Sequence, residues 1–242
     1  MQNYREISPP PHLAEAVECL WTMRLSDKSS VQHRVSPDGC ADLVFTSGPG
    51  KPSLIAVGAM TRFEDFEIRP GQWMVGVRFR PAMWADQLGV PASQITDQRY
   101  PIADLWGAAG RRLFEQASQT GSPEKCAAVL LKVLRNPQSR TPLQRALAWM
   151  EAQRGCVRLD DVACQANLSV RQFRRVCLDQ AGLSPKLLAR ILRFRHALSR
   201  LQSQAGEHAG LALDCGYFDQ SHFIAEFRRF AGTSPASYLH AS

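Results

Sequence analysis

The sequence of 242 residues predicts two domains of different fold class. An α+β N-terminal domain, β-rich first and helical afterwards, is expected over residues 1–135, and an all-α C-terminal domain over residues 143–242. Three observations support this division. Apolar and polar residues alternate over much of the first 85 residues, apolar residues then recur at helical spacing, and one motif in the last hundred residues occurs twice, 50 positions apart.

Short strands are expected in the first part of the chain. Val31–Val35 alternates apolar and polar residues, and the proline and glycine within residues 36–39 favour a turn directly after it. Residues 42–45 and 54–57 are apolar runs bounded by glycine or proline, and Trp73–Phe79 places its apolar residues on one face of a period-2 segment. Helical spacing follows over residues 105–114 and 127–134.

Residues 136–142 are the best linker candidate in the chain. Their sequence, Asn-Pro-Gln-Ser-Arg-Thr-Pro, is polar and contains two prolines, which interrupt regular secondary structure. All of the sequence after them is helical in pattern. We therefore place the domain boundary here.

The C-terminal domain contains two copies of one helical motif. Each copy predicts a short helix, a tight turn, an N-cap residue, and a second helix that ends at a glycine. The short helices begin near Leu159 and Ala209, the N-caps are Ser169 and Asp219, and a long apolar helix over about residues 185–201 joins the copies. These features predict two helix-turn-helix modules, at about 159–182 and about 208–232. The positions shared by the copies are Phe173 and Phe223, Ala181 and Ala231, Gly182 and Gly232, Ser184 and Ser234, and Pro185 and Pro235.

The composition is that of a folded protein whose C-terminal half is basic. Apolar residues make up 45% and charged residues 21% of the chain, which excludes collagen, coiled-coil and disordered classes. Of the 29 basic residues only five are lysine, and residues 142–242 carry 13 basic against 8 acidic side chains. Because guanidinium groups match phosphate oxygens and guanine edges bidentately, an arginine-rich half favours a phosphate-bearing partner. A basic surface that serves only solubility is the alternative.

Targeting signals and cysteine usage favour a cytoplasmic protein. No run approaches the ~18–20 consecutive apolar residues of a membrane helix, and the first 13 residues lack the apolar stretch of a secretory signal. The seven cysteines show no C-x-x-C spacing, which argues against a disulfide framework and for a reducing compartment. We expect no membrane partner, and cysteines that are small buried apolar residues.

Two sets of residues carry a specific likeness between the C-terminal half and a known family. In the second copy they are Leu211, Ala212, Gly216, Tyr217, Asp219, Gln220, Ser221, Phe223, Phe227, Arg228, Arg229, Gly232, Thr233, Ser234, Pro235 and Tyr238. In the first copy they are Leu159, Val162, Ala163, Ser169, Arg171, Phe173, Arg174, Arg175, Gly182, Ser184, Pro185, Arg193, Phe194 and Ala197. Through them, residues 142–240 resemble the DNA-binding domain of AraC-type transcription regulators.

The resemblance implies a bacterial, sequence-specific transcription regulator, with double-stranded DNA as its partner and a small-molecule effector bound to the N-terminal domain. The first 135 residues look like an uncharacterised sensor-like domain found ahead of such modules, through the stretches at residues 34–43 and 76–81. RNA polymerase, and a second copy of the chain in a homodimer, are partners that the resemblance leaves open. It does not identify the effector or the operator, and it leaves open both the activator and the repressor role.

In the first module the second helix carries the expected DNA contacts. A recognition helix presents its N-terminal residues to base edges in the major groove, and the resemblance implies that role for Arg171 and Arg174. Arginine bonded bidentately to guanine is the commonest specific contact. Gln172 and Arg175 are further candidates, although Arg175 could pair with Asp179 instead.

In the second module the candidate contacts are less basic. They are Gln220, Ser221, His222, Ile224 and Arg228. Family members usually have arginine or lysine where Ala225 stands, so this helix is expected to read thymine methyl groups or to bind weakly. His222 could equally be a merely solvated residue, and Arg228 and Lys186 are candidate phosphate contacts.

Candidates for an effector site lie in the N-terminal domain. Arg78 and Arg80 flank Phe79 at a strand end, look exposed, and could bind an anionic effector. Trp73 could line a small-molecule pocket, with simple core packing as the alternative.

The sequence contains no catalytic constellation. It lacks a nucleophile elbow, a Walker loop, G-x-G-x-x-G and H-E-x-x-H, so we expect neither an enzyme nor a cofactor. His33, Asp38, Cys40 and Asp42 cluster around a turn but lack zinc-ligand spacing, so no metal is expected there.

Two other functions stay open at this point. A DNA-alkylation-repair regulator would need a zinc site that activates a thiolate, and Cys19 and Cys40 are too isolated in the sequence to build one. A non-specific architectural DNA-binding protein would show no preference among duplexes at physiological salt.

Overall fold

In the computed structural model, which describes residues 2–25, 29–136, 139–203 and 210–241, eight strands form two antiparallel sheets. The strands are β1 (Gln2–Ile7), β2 (Val17–Leu25), β3 (Val31–Val35), β4 (Ala41–Ser47), β5 (Ser53–Val57), β6 (Glu64–Ile68), β7 (Trp73–Phe79) and β8 (Arg99–Pro101). The larger sheet has the order β1-β2-β7-β4-β5-β8, and the smaller sheet pairs β3 with β6. All of these pairings are antiparallel.

The helices of the N-terminal part come after β7 in the chain and cover one face of the larger sheet. They are α1 (Ala85–Leu88), α2 (Ile102–Trp106), α3 (Ala108–Ser118) and α4 (Pro123–Lys132). Leu43 and Val77 of the larger sheet lie in the core that these helices close, whereas Trp21 and Val44 on the opposite face pack with Ile68 of the smaller sheet. Because successive residues of a strand point to opposite faces, one strand serves both cores. The N-terminal part therefore has the β-rich start and helical continuation that its periodicity predicts.

The C-terminal part consists of helices throughout its described residues. They are α5 (Pro142–Ala152), α6 (Leu159–Gln165), α7 (Val170–Ala181), α8 (Pro185–Ser203), α9 (Leu211–Asp214), α10 (Gln220–Ala231) and α11 (Pro235–Ala241). Helices α6 and α7 occupy the first expected module, α9 and α10 the second, and α8 joins them. The helix expected from near Ala209 begins at Leu211, and residues 204–209 lie outside the described residues.

The start of α5 falls at the end of the predicted linker. The Thr141 hydroxyl accepts a hydrogen bond from Gln144 N at 3.2 Å, and Gln144 Oε1 accepts one from Thr141 N at 2.9 Å. This capping box makes residues 141 and 142 part of the helix start. Pro137 and Gln138 lie outside the described residues, and the domain boundary itself stays a prediction.

The two parts of the chain are packed against each other. Ala59 and Ala82 of the first part belong to the hydrophobic core of the second. Gln144 Nε2 donates to Ala82 O at 3.1 Å, and Leu188 of α8 lies so close to Gly39 that a Cβ there would be 2.7 Å from its Cδ1. The predicted linker thus joins two parts of the chain that contact each other.

Candidate nucleic-acid interface

The first recognition helix, α7, is fixed at its start by a capping box. The Ser169 hydroxyl accepts from Gln172 N at 3.3 Å, and Gln172 Oε1 accepts from Ser169 N at 3.0 Å. Phe173, Cys177 and Ala181 lie on the buried face of the helix. The apolar spacing therefore turns the remaining face of α7 toward solvent.

That solvent face carries three arginines. Arg171, Arg174 and Arg175 are exposed, and their side chains form no ion pair or hydrogen bond with any residue that the structure describes. The pairing of Arg175 with Asp179 that its i,i+4 spacing allows is thus not made. Because guanidinium groups are always charged and carry five donors each, the solvent face of α7 carries three positive charges whose donors are available to an external acceptor.

Gln172 has a different position from its arginine neighbours. Its side chain is exposed, but its amide oxygen is held by the backbone and hydroxyl of Ser169. Only the amide NH₂ group is left to donate outward. Gln172 primarily shapes the start of the helix.

The second recognition helix, α10, begins at a similar cap with different chemistry. Asp219 Oδ1 accepts from His222 N at 2.7 Å, and His222 Nδ1 lies 3.3 Å from Phe218 N, from which it accepts a hydrogen bond. The His222 ring also meets Tyr217 edge-on at 5.4 Å between centroids. The imidazole therefore stabilises the turn before α10, and the His222 residue is exposed.

The rest of the second surface is neutral at its N-terminal end. Gln220 and Ser221 are exposed, and Ile224 is half-buried because it packs partly against the core. Arg228 is exposed in the last turn, where a cation is favourable next to the helix dipole. The positive charge of α10 thus lies at the end opposite to that of α7.

An exposed aromatic residue at this surface was missed in the sequence. Phe218, directly before the N-cap of α10, is 85% exposed, whereas Leu168 at the equivalent position of the first module packs against the core. Single exposed apolar residues are common, but a fully solvated phenylalanine beside a recognition helix adds an apolar contact surface. The 50-residue offset between the copies pairs Phe218 with the packed Leu168, so the repeat gives no signal of this exposure.

A salt bridge holds α10 against the joining helix α8. Arg190 donates from Nε and Nη2 to the two carboxylate oxygens of Glu226, at 2.7 and 2.6 Å. Burial alone would raise the pKa of Glu226, but the hydrogen bonds from Arg190 hold it below its ordinary value. The carboxylate of Glu226 on α10 is thus paired with a cation of α8. Lys186, in the first turn of α8, is exposed.

The effector candidates are engaged within the chain. Arg78 is only 17% exposed in its side chain, and its Nε lies 3.1 Å from Asp38 and 3.5 Å from Asp42. Arg80 lies 3.4 Å from Glu151 of α5. The expectation that Arg78 is exposed is therefore wrong, because antiparallel pairing of β7 with β4 places Asp42 directly opposite it. Arg80 is half-buried and not exposed as expected, because its guanidinium lies against Glu151. Trp73 is half-buried and packs on Phe45, with ring centroids 5.5 Å apart.

The cysteines of the N-terminal part are protonated thiols. Cys40 donates to Glu18 Oε2 at 2.9 Å, and burial raises its pKa well above the ordinary value. Burial also raises the pKa of Cys19 to about 12. A nucleophilic cysteine needs the opposite shift. Among the described residues no group of three His, Cys, Asp or Glu side chains is arranged as metal ligands.

Two sequence families match the chain, one in each part. Residues 162–241 match a helix-turn-helix domain family, and residues 5–101 match a domain of unknown function, DUF6597. In the part of the chain that the structure describes, no helix is long and apolar enough to cross a membrane.

Curated relatives resemble the C-terminal part. The HTH-type transcriptional activator RhaS of Escherichia coli O157:H7 is 36% identical over 103 residues, which are 42% of this chain and 36% of the relative. RhaS of Klebsiella pneumoniae (strain 342) is 34% identical over 96 residues, 38% of this chain and 34% of the relative. The match spans about a third of the length of these relatives.

The similar solved structures cover either less than half of this chain or nearly all of it. The DNA-binding domain of AdpA, crystallised with a target DNA, is 26% identical with a TM-score of 0.40, covering 42% of this chain and 93% of that one. ToxT from Vibrio cholerae O395 is 13% identical with a TM-score of 0.44, covering 99% of this chain and 96% of that one.

Proposed function

We propose that the protein is a sequence-specific DNA-binding transcription regulator of the AraC type, because residues 162–241 match a helix-turn-helix domain family and the C-terminal part is similar to transcriptional activators named RhaS. The observation that carries the proposal is the solvent face of α7. Three exposed arginines follow a rigid N-cap there, without an internal partner among the described residues. Their charge needs a counterpart, and a DNA duplex supplies phosphates and guanine edges in one groove.

The proposed mechanism is binding by two recognition helices. Helices α7 and α10 would enter successive major-groove segments on one face of the duplex, about one turn or ~34 Å apart. The arginines of α7 favour guanine edges. Ile224 and Phe218 offer apolar surface to thymine methyl groups, which are the apolar features of the major groove.

Selection of bound duplexes from a random pool tests this proposal. We expect the full chain to enrich a sequence with two separate segments. The double variant Arg171→Ala/Arg174→Ala should lose the preference in one segment. Arg111→Ala/Arg112→Ala, which removes the same charge from exposed positions of α3, is the matched control and should select the wild-type sequence.

The same selection decides between the proposal and its alternatives. Equal binding to all duplexes at physiological salt would contradict sequence-specific regulation and favour an architectural DNA-binding protein. A palindromic selected site would indicate that two copies of the chain bind together, because the symmetry of a site mirrors that of the protein.

We also propose a regulatory role for the N-terminal part. The relatives named RhaS are transcriptional activators, so we propose activation, acting on RNA polymerase in the bacterial cytoplasm, rather than catalysis of a reaction. A small-molecule effector would bind the N-terminal part and act through its interface with α5 and α8. A screen for small molecules that shift the affinity for the selected duplex tests this role. A complete lack of such shifts across metabolite classes would contradict it.

A further inference from the structure

Equivalent ends of the two recognition helices are bound by the N-terminal part. Gly182 and Gly232, which end α7 and α10, occupy the same position in the two copies. Thr96 Oγ1 donates to Gly182 O at 2.7 Å, and Arg34 Nη1 donates to Ala231 O at 3.2 Å. The last carbonyl groups of a helix have no partner within it, so each bond satisfies a group that the helix leaves free.

Both contacts are too close to admit a side chain. A Cβ at Gly182 would lie 2.5 Å from Thr96 Oγ1, and a Cβ at Gly232 would lie 2.6 Å from Cζ of Phe63. The φ angle of both glycines is 72°, in the left-handed region that ends a helix. Glycine is therefore required at each position by the turn and by the approach of the N-terminal part.

The residue that contacts α10 is rigidly held. Arg34 on β3 donates from Nε and Nη2 to the two oxygens of Asp65 on β6, both at 2.7 Å. Its guanidinium also stacks on Phe63, 4.4 Å from the ring centroid. A bidentate pair and a ring together fix the direction in which Nη1 points.

The residue that contacts α7 lies in a segment tied to the sheet. Asp97, next to Thr96, accepts hydrogen bonds from the backbone N and the hydroxyl of Thr61, both at 2.7 Å. Gly58 N donates to Gln98 O at 3.1 Å. These bonds anchor the two residues directly after Thr96 to the chain that follows β5, so the Thr96 hydroxyl is a fixed point on the N-terminal part.

A third contact fixes the helix between the modules. Arg195, in the middle of α8, donates from Nη2 to Glu18 Oε1 at 2.5 Å and from Nη1 to Asp38 O at 3.1 Å. The N-terminal part therefore contacts α7, α8 and α10.

We infer that Thr96 and Arg34 are positioning residues that set the separation and relative orientation of the two recognition helices, and through them the spacing of the two DNA segments that the protein reads. This inference rests on the proposed function. If the two helix-turn-helix modules were joined only by α8, each could rotate about its junction with that helix. When each recognition helix is attached to the same rigid sheet domain, the two modules cannot rotate in this way. The protein then favours one distance between the two DNA segments over slightly longer or shorter distances.

The experiment measures spacing rather than affinity alone. The duplex selected by the wild-type chain is synthesised with base pairs inserted or removed between its two segments, and the dissociation constant is measured for each spacing. Full-length Thr96→Val and Arg34→Met are compared with the wild type. We expect the ratio of affinities between the best spacing and its neighbours to fall by about three- to tenfold in each variant.

Two further variants separate positioning from simple loss of structure. Thr96→Ser keeps the hydroxyl and should restore the wild-type spacing profile. Arg99→Met is the control for Arg34, since Arg99 also stacks on a ring, Phe66, at 4.4 Å and also pairs with a carboxylate, Glu64. It has no hydrogen bond or ion pair to either recognition helix in the described ranges, and its profile should match the wild type.

Several outcomes would overturn the inference. Wild-type spacing profiles in folded Thr96→Val and Arg34→Met proteins would show that these contacts do not set the spacing. A flattened profile in Thr96→Ser or Arg99→Met would mean that any disturbance of the N-terminal part has the same effect. Selection of a single segment by the wild type would also contradict it. Absence of any sequence preference in the wild type would instead contradict the proposed function.

Discussion

Arg195 and Glu18 form an ion pair across the boundary between the helical part and the sheet, with Arg195 Nη2 2.5 Å from Glu18 Oε1. Glu18 Oε2 also accepts a hydrogen bond from the Cys40 thiol at 2.9 Å. Burial by itself would raise the pKa of Glu18, but Arg195 and Cys40 lower it below its ordinary value. The stabilisation by this pair is therefore present above the ordinary pKa of glutamate and is lost as the pH falls through the lowered one.

Replacement of Arg195 by methionine should destabilise the whole chain. The change leaves the Glu18 carboxylate largely buried without its partner, which costs about 3 kcal/mol. Urea unfolding followed by circular dichroism measures the loss. Arg145→Met removes an exposed arginine of α5 and should change the free energy of unfolding by less than about 0.5 kcal/mol. Equal midpoints for both variants would contradict the prediction.

The pH dependence of the free energy of unfolding should show the titration of the Asp42 carboxyl group. Glu18, Asp38 and Asp42 share the guanidinium groups of Arg78 and Arg195 with Glu6 and Glu151, so the carboxyl groups outnumber the two cations. Burial raises the pKa of Asp42 to about 6, against the lowering effect of Arg78. The folded state then binds a proton that the unfolded state has lost, and the free energy of unfolding falls as the pH rises from about 4 to about 6.

Asp42→Asn should remove that part of the slope. Urea unfolding at several values between about pH 4 and 7 measures it. Asp104→Asn, at an exposed position of α2, should keep the wild-type slope. Identical pH profiles for Asp42→Asn and the wild type would mean that Asp42 does not titrate in this range.

Only the exposed thiols should react in the folded protein. Cys156 and Cys164 are exposed, and the other five cysteines are buried. Burial raises the pKa of Cys177 to about 12 and that of Cys126 to about 11. Titration with an aromatic disulfide reagent should give two rapid equivalents in buffer and all seven in denaturant. Rapid modification of Cys19 or Cys40 would favour the reactive-cysteine alternative.

Loss of Arg171 or Arg174 from the exposed face of α7 should weaken specific DNA binding. Arg171→Ala or Arg174→Ala is expected to cost about 1–3 kcal/mol on the selected duplex and to relax the preference at one or two base pairs. Lys186→Ala should weaken binding to all sequences alike and reduce the salt slope by about one. Titration of a selected and a scrambled duplex at two salt concentrations distinguishes base contacts from phosphate contacts. Equal losses of affinity on both duplexes for the arginine variants would mean that these arginines contact phosphates.

Phe218→Ala should weaken DNA binding without a cost in stability. The ring is 85% exposed, so its removal creates no cavity. Leu213→Ala is the control, because Leu213 on α9 is also exposed, at 67%, and should leave both properties unchanged. Ile224→Ala is expected to cost less binding energy than the arginine variants, since an apolar contact lacks bidentate bonds. Unchanged affinity in Phe218→Ala would exclude Phe218 from the interface.

Local chemistry explains which features the sequence predicts well. Ser169 and Asp219 satisfy free backbone N–H groups three residues ahead, and Gly182 and Gly232 take the left-handed conformation that ends a helix. Each signal involves neighbours within one turn of the chain. The helices of the C-terminal part therefore begin and end close to the positions that these local signals indicate.

Pairings between distant residues explain what the sequence does not predict. The sequence predicts an exposed Arg78 near the end of a strand. In the structure β4 pairs with β7, and this pairing places Asp42 opposite Arg78. Arg195 and Glu18 are 177 positions apart, and no periodic pattern links them. Phe218 escaped notice for another reason, since its exposure depends on how the turn before α10 is oriented.

The capped ends of α7 and α10 have consequences for the history of the duplicated motif. The copies retain the same glycine, but one end accepts a hydroxyl from a loop and the other a guanidinium from a strand. Each copy thus has a different neighbour, so the two are not interchangeable in this chain. In a chimaera with the modules in reverse order, each helix end would face the contact that belongs to the other copy, so an exchange of the modules should require an exchange of the domain in front of them.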